Sequence, residues 1–307
     1  RQEKIDVRVV GNIGNPILSE KNITNETIFV IEASSYQLDY SKIFRANIAV
    51  ILNITPDHLE RHRSLKNYIR AKFKLIKIQK KENFAILNTN NFYIKNQLNN
   101  RNYLPKIIKV NKKIESSILK KLKNPYFITD GNKENLSFVI EIAKLFEIKK
   151  KNLIKVINNF KGLNFRQQII FKSKSLTIIN DSKATSFSSS TSILKSMSNV
   201  FWILGGLAKK GDKFLLSKND CKSFKAYIFG KNRLQFIKEL KKKIKYESYT
   251  SLKTIIKKIL IEIKNNKNKK HQTILFSPAA ASFDNFKNFE ERGKYFNNLI
   301  KTFNVKK

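Results

Sequence analysis

The sequence is poor in several features that would point to particular kinds of protein. It contains one Cys, Cys221, which excludes an internal disulfide framework and a metal site built from several thiolates. No apolar run approaches the roughly 20 residues that a helix needs to cross a bilayer. The first eight residues are charged and have no apolar centre, so they do not resemble a signal peptide. We therefore expect a cytoplasmic protein without membrane insertion.

Methionine is almost absent as well. The one Met is Met197, and the chain begins with Arg1. Because a complete bacterial translation product normally starts with Met, we expect a further segment to precede Arg1 in the complete protein.

Acidic residues are scarce, with 23 Asp and Glu against 62 Lys and Arg, which gives a net charge of +39. Clustered basic residues can bind nucleic acid by neutralising phosphates. However, only ten of these basic residues are Arg, the side chain suited to bidentate contacts with phosphates and bases. The Lys residues are spread along the whole chain beside Asn and Ile, as a compositional bias would produce. We expect no specific nucleic-acid binding, and a basic nucleic-acid-binding module is the alternative from another class.

The apolar residues predict an α/β fold. Hydrophobic residues make up 41% of the 307 positions, enough for two domains with a core each. Short apolar runs, typical of parallel strands buried on both faces, alternate with helical patterns. Strands are predicted at 27–31, 48–54, 84–87, 176–179, 200–204, 226–229 and 273–276, and helices at 68–78 and 252–263. A helical pattern ends near residue 161, which predicts domains 1–161 and 162–307. The Asn- and Lys-rich segment 88–101 is predicted to be a surface excursion.

Polar groups follow two predicted strands of the first domain. Glu32 ends the first of these strands, where its carboxylate is either a ligand for a hard cation such as Mg²⁺ or simply solvated. Asp57, His58, Glu60 and His62 follow the second strand, and such a cluster at a strand end favours a functional site. The loop 11–16 contains two Gly that allow positive φ and close approach of the backbone to a ligand.

Three strand ends of the second domain carry small, hydroxylated or cationic residues. These loops cover 180–185, 205–212 and 277–284. Polar loops are common, but small, hydroxylated or cationic residues at all three strand ends favour a face that binds anions.

These segments together resemble the Mur ligases, and among them the enzymes that add D-glutamate. The matching strings are GNIGNP at 11–16, EASSYQL at 32–38, LNITPDHLERH at 52–62, YIRAK at 68–72, NDSKAT at 180–185, ILGGLAKKGD at 203–212 and SPAAASFDNFKNFEERG at 277–293. The resemblance covers essentially the whole chain. It implies a partial central ATP-binding domain with a mostly parallel sheet, followed by a Rossmann-like C-terminal domain that binds D-glutamate.

The resemblance also implies roles for individual residues. Glu32 and His58 match Mg²⁺ ligands, Lys72 matches a carbamylated lysine that serves the metal, and Asn12 matches a contact to the muramoyl substrate. Nucleotide contacts are implied at Asn132, Asn135, Arg166 and Asp181. D-Glutamate contacts are implied at Lys183, Thr185, Lys209, Ser282 and Phe289. The chain departs from the family pattern at Gly131 (usually His), at 165–168 (Phe-Arg-Gln-Gln for His-Arg-x-Glu) and at Ser186 (usually Asn).

The implied reaction is ATP-dependent ligation of D-glutamate to UDP-N-acetylmuramoyl-L-alanine through an acyl phosphate, a step of peptidoglycan precursor synthesis, with two Mg²⁺ ions and a monomeric enzyme. A sister Mur or folylpolyglutamate-type ligase is the alternative within the same chemistry. The family's P-loop string, GxxGK[ST], does not occur in the chain and is expected just upstream of Arg1. We therefore expect this chain alone to be inactive.

Overall fold

The computed structural model describes residues 5–56, 58–111, 114–209, 211–266 and 270–303. The chain forms two compact units, which we call unit 1 (residues 1–123 and 133–158) and unit 2 (residues 124–132 and 159–307). Within the described residues, no helix combines the length and the apolar character needed to span a membrane.

Unit 1 is built from parallel strands and the helices that follow them. Its strands are β1 Val7–Gly11, β2 Ile28–Glu32, β3 Ile48–Ile51, β4 Phe84–Asn88 and β5 Lys106–Val110. Its helices are α1 Ser35–Tyr40, α2 Leu59–His62, α3 Leu65–Lys77, α4 Phe92–Asn99 and α5 Ser116–Leu119, with a 3₁₀ turn at Ile17–Ser19. Most of α6 Asp130–Leu145 and α7 Lys150–Asn159 also belongs to this unit.

The strands of unit 1 form two parallel sheets. One pairs β1 with β2 and places Gly11 opposite Glu32, and the other has the order β3-β4-β5. Helix α3 packs its apolar face on the three-stranded sheet, where Phe73 and Ile76 meet Leu87 in one buried cluster. This packing holds α3, which carries Lys72, against the sheet whose first strand leads to His58.

Unit 2 contains a six-stranded sheet with the order β10-β9-β8-β11-β7-β6. Its strands are β6 Gln168–Lys172, β7 Leu176–Asn180, β8 Val200–Gly205, β9 Phe224–Phe229, β10 Lys245–Ser248 and β11 Gln272–Phe276. Its helices are α8 Phe187–Lys195, α9 Arg233–Leu240, α10 Leu252–Asn265 and α11 Phe289–Thr302, with a 3₁₀ turn at Pro125–Ile128. All neighbouring strands are parallel except β6, which runs antiparallel to β7.

Two apolar layers cover this sheet. One layer contains Trp202, Phe214 and Phe236, and the other contains Ile256 and Phe296. Every residue of β7 and β11 is buried, which explains why these strands are continuous apolar runs rather than alternating patterns. Burial on both faces fixes the central strands, and therefore also the points at which their carboxyl-terminal loops begin.

The predicted α/β fold with mostly parallel sheets is confirmed. All seven predicted strands are present, with shifted ends, and both predicted helices exist. The strand predicted at 48–54 ends at Ile51. The prediction of a surface excursion at 88–101 is wrong, because Asn91 caps α4 by accepting a hydrogen bond from the Ile94 N–H and Ile94 is fully buried.

Four further strands were not predicted from the sequence, and each lies at the edge of its sheet. These strands are β1, β5, β6 and β10. Their apolar residues are interrupted or flanked by Lys, Arg, Gln, Glu or Ser. Such polar residues are tolerated at a sheet edge that faces solvent, but they make the strand hard to recognise in the sequence.

Two glycines, one at the end of β8 and one in the loop that follows it, allow a matched test of packing at the carboxyl end of this strand. A Cβ on Gly205 would lie 2.3 Å from the Phe229 carbonyl oxygen, whereas a Cβ on Gly211 would have no heavy atom within 4 Å. Both residues have positive φ, so both substitutions by Ala strain the backbone. We expect Gly211→Ala to lower the free energy of unfolding by about 1 kcal/mol and Gly205→Ala by more than about 3 kcal/mol. Urea titrations followed by fluorescence of the single buried Trp202 measure both, and equal losses would contradict the packing described here.

Candidate functional site

The loop after β1 lies against the end of β2. Asn12 donates its backbone N–H to the Glu32 carbonyl at 2.8 Å and its side-chain amide to the Glu32 carboxylate at 3.2 Å. A Cβ on Gly11, which has a φ of +102°, would lie 2.6 Å from the same carbonyl. The close approach predicted for this glycine loop is therefore an approach to β2, and it brings two predicted site residues, Asn12 and Glu32, together.

The chain turns directly from β2 into α1, and this turn presents an aromatic side chain. Ser34 caps α1 reciprocally with Gln37, each side chain bonding the other's backbone N–H. The cap fixes the helix start, where Ser35 is buried and Tyr36 points toward the histidines of the loop after β3. Glu32 itself is exposed.

The histidines of this loop have different environments. His58 adopts a left-handed backbone conformation with a φ of 53°, and its Nδ1 lies 3.1 Å from the Tyr36 hydroxyl. His62 is buried, stacks on Tyr36 with 5.6 Å between ring centroids, and hydrogen-bonds Ser35 at 3.0 Å. His62 is thus a packing residue, while His58 is the more exposed of the two. Asp57 lies outside the described residues.

Lys72 joins this group through a second tyrosine. Its Nζ lies 5.2 Å from the centre of the Tyr68 ring, and that ring lies 5.4 Å from the ring of His62. Tyr36, His62 and Tyr68 therefore form an aromatic ladder with His58 at one end and Lys72 at the other. The ladder links two of the three residues predicted to serve the metal.

The donor set suits Mg²⁺ with a partial protein shell. Among the described residues, no group of three or more His, Cys, Asp and Glu side chains is arranged to hold a metal ion. Mg²⁺ commonly takes one or two carboxylates and completes its shell with water and phosphate oxygens. Glu32 carries a carboxylate of this kind at the end of β2.

In unit 2, the ends of β7 and β11 meet at a buried carboxylate. Asp181 accepts hydrogen bonds from the Ser277 hydroxyl at 2.8 Å and from the Gln167 N–H at 3.1 Å. Ser277 also shares a 2.7 Å hydrogen bond with Ser190 of α8, and its carbonyl accepts one from the Trp202 indole at 2.8 Å. This network ties the strand ends to α8 and β8.

Burial raises the pKa of Asp181 to about 7, while the Ser277 hydrogen bond, the Gln167 N–H and the charge of Arg166 oppose that shift. The carboxyl group of Asp181 therefore changes its protonation state close to neutral pH.

The loop after β7 is fastened to the start of α11 by a buried arginine. Arg292 is completely buried and donates to the Ser182 hydroxyl at 3.0 Å and to the carbonyls of Ser182 and Ala280 at 2.7 and 2.9 Å. Burial lowers the pKa of Arg292 to about 10, and the charge of Asp284 opposes that shift. Its Nη1 makes no hydrogen bond within the described part of the chain.

These contacts bring the loop after β7 next to the first residue of α11. The Ser182 hydroxyl donates to the Phe289 carbonyl at 2.9 Å, and the Lys183 ammonium lies 4.0 Å from the centre of the Phe289 ring. A cation this close to an aromatic face is stabilised by the ring's quadrupole. Lys183 and Phe289, 106 positions apart, are thus neighbours in space.

The third predicted loop joins the same sheet edge. Leu207 and Ala281 pair their backbones as an antiparallel bridge, beside the buried Ser282. Lys209 is exposed, and its charge lowers the pKa of Asp212, which burial raises more strongly. Thr185 is exposed as well, at the end of the loop that carries Lys183.

Three of the four residues predicted to contact the nucleotide lie near one another in unit 2, because Asn132 bonds Gln167 and the Gln167 N–H bonds Asp181, with Arg166 beside them. The Asn132 amide nitrogen donates to the Tyr126 carbonyl at 2.7 Å and to Gln167 at 3.1 Å, so its hydrogens are used within unit 2. Asn135 follows in the next turn of α6 and is exposed. Arg166 lies near enough to Asp181 to lower that group's pKa.

Sequence reasoning overlooked residues that hold the site in place. Arg292 lies three residues after Phe289 and four before Phe296, a spacing that places all three on one face of α11. A charged residue on an apolar helix face could have been recognised in the sequence as a candidate for a buried polar role. Tyr36 and Ser277 stood inside strings that were recognised, but their partners are distant in sequence. No local pattern could reveal those partners.

Parallel sheets with hydroxyl, amide and cationic groups gathered at their carboxyl ends are the architecture of α/β enzymes that bind anionic ligands. The family model named Mur ligase middle domain matches residues 9–165. The chain belongs to the Mur ligase family, whose members are ATP-dependent amide ligases.

Similar proteins agree with this membership. A Rickettsia bellii protein named UDP-N-acetylmuramoylalanine--D-glutamate ligase is 32% identical over 98% of this chain and 71% of its own length. The MurF ligase of Thermotoga maritima, solved with ADP, matches the fold with a TM-score of 0.67 at 15% identity, over 98% of this chain and 75% of that chain. The UDP-N-acetylmuramate-alanine ligase MurC from the same organism gives a TM-score of 0.54 at 13% identity, over 98% and 77%.

The buried Asp181 predicts a specific pH dependence of stability. Because its pKa of about 7 in the folded chain exceeds the ordinary 3.8, only the folded state holds this proton between those values. The free energy of unfolding therefore falls as pH rises through this window. We expect Asp181→Asn to remove that contribution, so that the stability of the variant relative to the wild type rises by about 2 kcal/mol from pH 5 to pH 7 and levels off above about pH 8. Urea titrations across this range measure the difference, and a flat difference would exclude the raised pKa.

Proposed function

We propose that this chain serves the ATP-dependent addition of D-glutamate to UDP-N-acetylmuramoyl-L-alanine, with residues 1–161 acting in ATP binding and residues 162–307 in D-glutamate binding. The observation that carries this proposal is the meeting of Lys183 and Phe289 at the carboxyl edge of unit 2, with Ser282 on the loop that leads into α11, the helix that Phe289 begins. The name of the Rickettsia bellii relative supports the choice of amino acid.

The proposed reaction has two transfer steps. A carboxylate oxygen of the muramoyl substrate attacks the γ-phosphorus of ATP, so an acyl phosphate forms and ADP leaves. The amine of D-glutamate then attacks the acyl carbon, an amide bond forms, and inorganic phosphate leaves as the nitrogen loses a proton. Both steps bring anions together, so cationic and hydrogen-bonding groups must offset their repulsion.

The residues proposed for D-glutamate can meet its two carboxylates. Lys183 and Lys209 supply positive charge, and the hydroxyls of Thr185 and Ser282 supply hydrogen bonds. The ring of Phe289 supports Lys183 from below its ammonium group and limits the directions in which that group can point. A dicarboxylic amino acid satisfies this set better than a neutral or cationic one.

The residues proposed for the metal and the nucleotide come from other strand ends. Glu32, His58 and a carbamate on Lys72 would hold Mg²⁺, which supplies charge neutralisation for the phosphates. Carbamylation joins the neutral Lys72 amine to CO₂ and releases a proton, which replaces an ammonium by a carboxylate-like ligand. Asn12 is proposed to contact the muramoyl substrate. Asn132, Asn135, Arg166 and Asp181 are proposed to contact ATP.

The substrate assignment predicts a selective phosphate release. The protein expressed from the complete coding region should release phosphate from ATP with UDP-N-acetylmuramoyl-L-alanine only when D-glutamate is present. Lys183→Gln should raise the KM for D-glutamate at least about tenfold, because a hydrogen bond to a charged group is lost. A coupled phosphate assay measures both quantities.

L-Glutamate, glycine and L-lysine serve as controls for the amino acid, and Lys174→Gln serves as a control for the loss of one positive charge elsewhere in unit 2. Equal turnover with glycine or L-lysine would refute the D-glutamate assignment and favour a sister ligase.

The proposed carbamate predicts chemical rescue. Lys72→Ala should abolish phosphate release in the same protein, because the metal loses a ligand. Added bicarbonate with a short carboxylic acid should restore part of the rate, since a free carboxylate can occupy the space of the missing side chain. Full activity of the variant without any addition would remove Lys72 from the mechanism.

A further inference from the structure

The loop that leads from β3 to His58 is held at its base by two asparagines of another segment. Asn88 ends β4, and Asn91 caps α4. Each donates its side-chain amide to a backbone carbonyl of the loop, Asn88 to Leu52 and Asn91 to Ile54, both at 2.9 Å. We call these two residues the amide clasp.

Asn88 uses all of its hydrogen-bonding groups in this arrangement. One amide hydrogen is directed to the Leu52 carbonyl and the other to the carboxylate of Glu134, at 2.7 Å. Its side-chain oxygen accepts the Asn90 N–H at 2.9 Å. The side chain is 4% exposed, so these hydrogen bonds are shielded from water and cannot be exchanged freely for solvent.

Asn91 also serves two elements. Its side-chain oxygen accepts the Ile94 N–H at the start of α4, and its amide nitrogen donates to the Ile54 carbonyl. Ile54 is 1% exposed and belongs to the core beneath α3. The loop is therefore anchored before His58 by the buried side chain of Ile54 and by the hydrogen-bonded carbonyls of Leu52 and Ile54.

Glu134 extends the connection to a second predicted functional element. It lies in α6 immediately before Asn135, which is proposed to contact ATP. Asn88 thus joins the loop that leads to His58, the proposed metal ligand, to the turn of α6 that contains Asn135, the residue proposed to contact ATP. Asn91 takes part in the first of these connections and not in the second. Leu52, Asn90 and Glu134, the three hydrogen-bond partners of Asn88, all belong to unit 1.

We propose that Asn88 and Asn91 are positioning residues, which fix the backbone before His58 so that its imidazole is held ready for the metal, and that Asn88 couples this loop to the nucleotide-facing turn of α6. This inference rests on the proposed function of His58 and Asn135. An amide is required at both positions, because each side chain must donate to a carbonyl and also accept a backbone N–H.

Asparagine-to-aspartate substitutions separate the donor function of each side chain from its acceptor function. Asn91→Asp keeps the oxygen that caps α4 but replaces the donor to Ile54 with an acceptor, and Asn88→Asp does the same toward Leu52. Asn100→Asp is the matched control, because Asn100 is exposed at the other end of α4 and donates a similar amide hydrogen bond to Asn96 at 2.7 Å. All three variants add the same charge.

The first readout is independent of activity. The N–H groups of Arg61 and His62 donate to the His58 carbonyl at 3.1 and 3.0 Å, so their hydrogen exchange reports the order of this loop. We expect exchange at these amides to accelerate at least about threefold in Asn88→Asp and Asn91→Asp, and to stay at the wild-type rate in Asn100→Asp. NMR-detected exchange of the protein from the complete coding region measures it.

The second readout separates positioning from general loss of stability. In the phosphate assay, the Mg²⁺ concentration for half-maximal rate should rise about tenfold in both clasp variants at saturating D-glutamate. A role confined to folding would lower the thermal midpoint without moving this concentration.

A double variant tests the link to α6. Asn88→Asp combined with Glu134→Gln exchanges donor and acceptor, so it can restore the bond between these side chains but not the bond to Leu52. We expect the KM for ATP, raised in Asn88→Asp, to return to within about twofold of the wild type, while the Mg²⁺ requirement stays high.

Unchanged exchange at Arg61 and His62 in both clasp variants would overturn the inference, even if the wild type adds D-glutamate as proposed. Accelerated exchange with an unaltered Mg²⁺ requirement would overturn it too. A wild type that releases no phosphate with D-glutamate would instead refute the proposed function, and the exchange measurement would still decide whether the clasp holds the loop.

Discussion

The parallel pairing of β8, β11 and β7, each packed on both faces, is the constraint on which the C-terminal part of the molecule depends. Parallel neighbours end at the same edge, so three loops that are far apart in sequence must begin side by side. Hydrogen bonds then fasten the loops to one another, through Ser277 and Asp181 and through Arg292 and Ser182. The sheet brings the three loops near one another, and the buried polar contacts fix how the loops are oriented.

Parallel strand pairing also brings loops together in unit 1, although β1 and β2 are less buried than the central strands of unit 2. The register of β1 and β2 places Gly11 beside Glu32, and the absence of a side chain at Gly11 lets Asn12 bond the strand end. Beyond the strands, orientation depends on the aromatic ladder and the amide clasp. Aromatic stacking and amide hydrogen bonds are specific in direction, whereas apolar packing alone would leave a polar loop free to choose among conformations.

Much of the fold could be predicted from the sequence, because strands buried on both faces are continuous apolar runs. Four of the edge strands could not, since residues such as Lys245 and Lys106 belong to a solvent-facing pattern that resembles a loop. Helix α4 was missed for a different reason. Its Asn-rich sequence has a weak apolar stripe, and its start is fixed by the capping side chain of Asn91 rather than by propensity.

The candidate site divides in the same way. Residues at strand ends, such as Glu32, His58 and Lys183, could be predicted because the carboxyl edge of a parallel sheet is a general position for ligands. Their supports could not be predicted, because Arg292, Ser277 and Asn88 act through partners that only the folded chain brings near. His62 shows the opposite error, since its place in a polar cluster suggested chemistry, while burial against Tyr36 and Ser35 makes it a packing residue.

The central claim is that the carboxyl edge of unit 2 recognises D-glutamate, and an NMR titration of backbone amides tests it most directly. The account predicts that D-glutamate, in the presence of ADP and Mg²⁺, shifts the resonances of Lys183, Ser282 and Phe289 in a saturable manner, while L-glutamate at the same concentrations does not. Saturable shifts confined to residues outside the three loops and the first turn of α11, or equal shifts with both enantiomers, would contradict it.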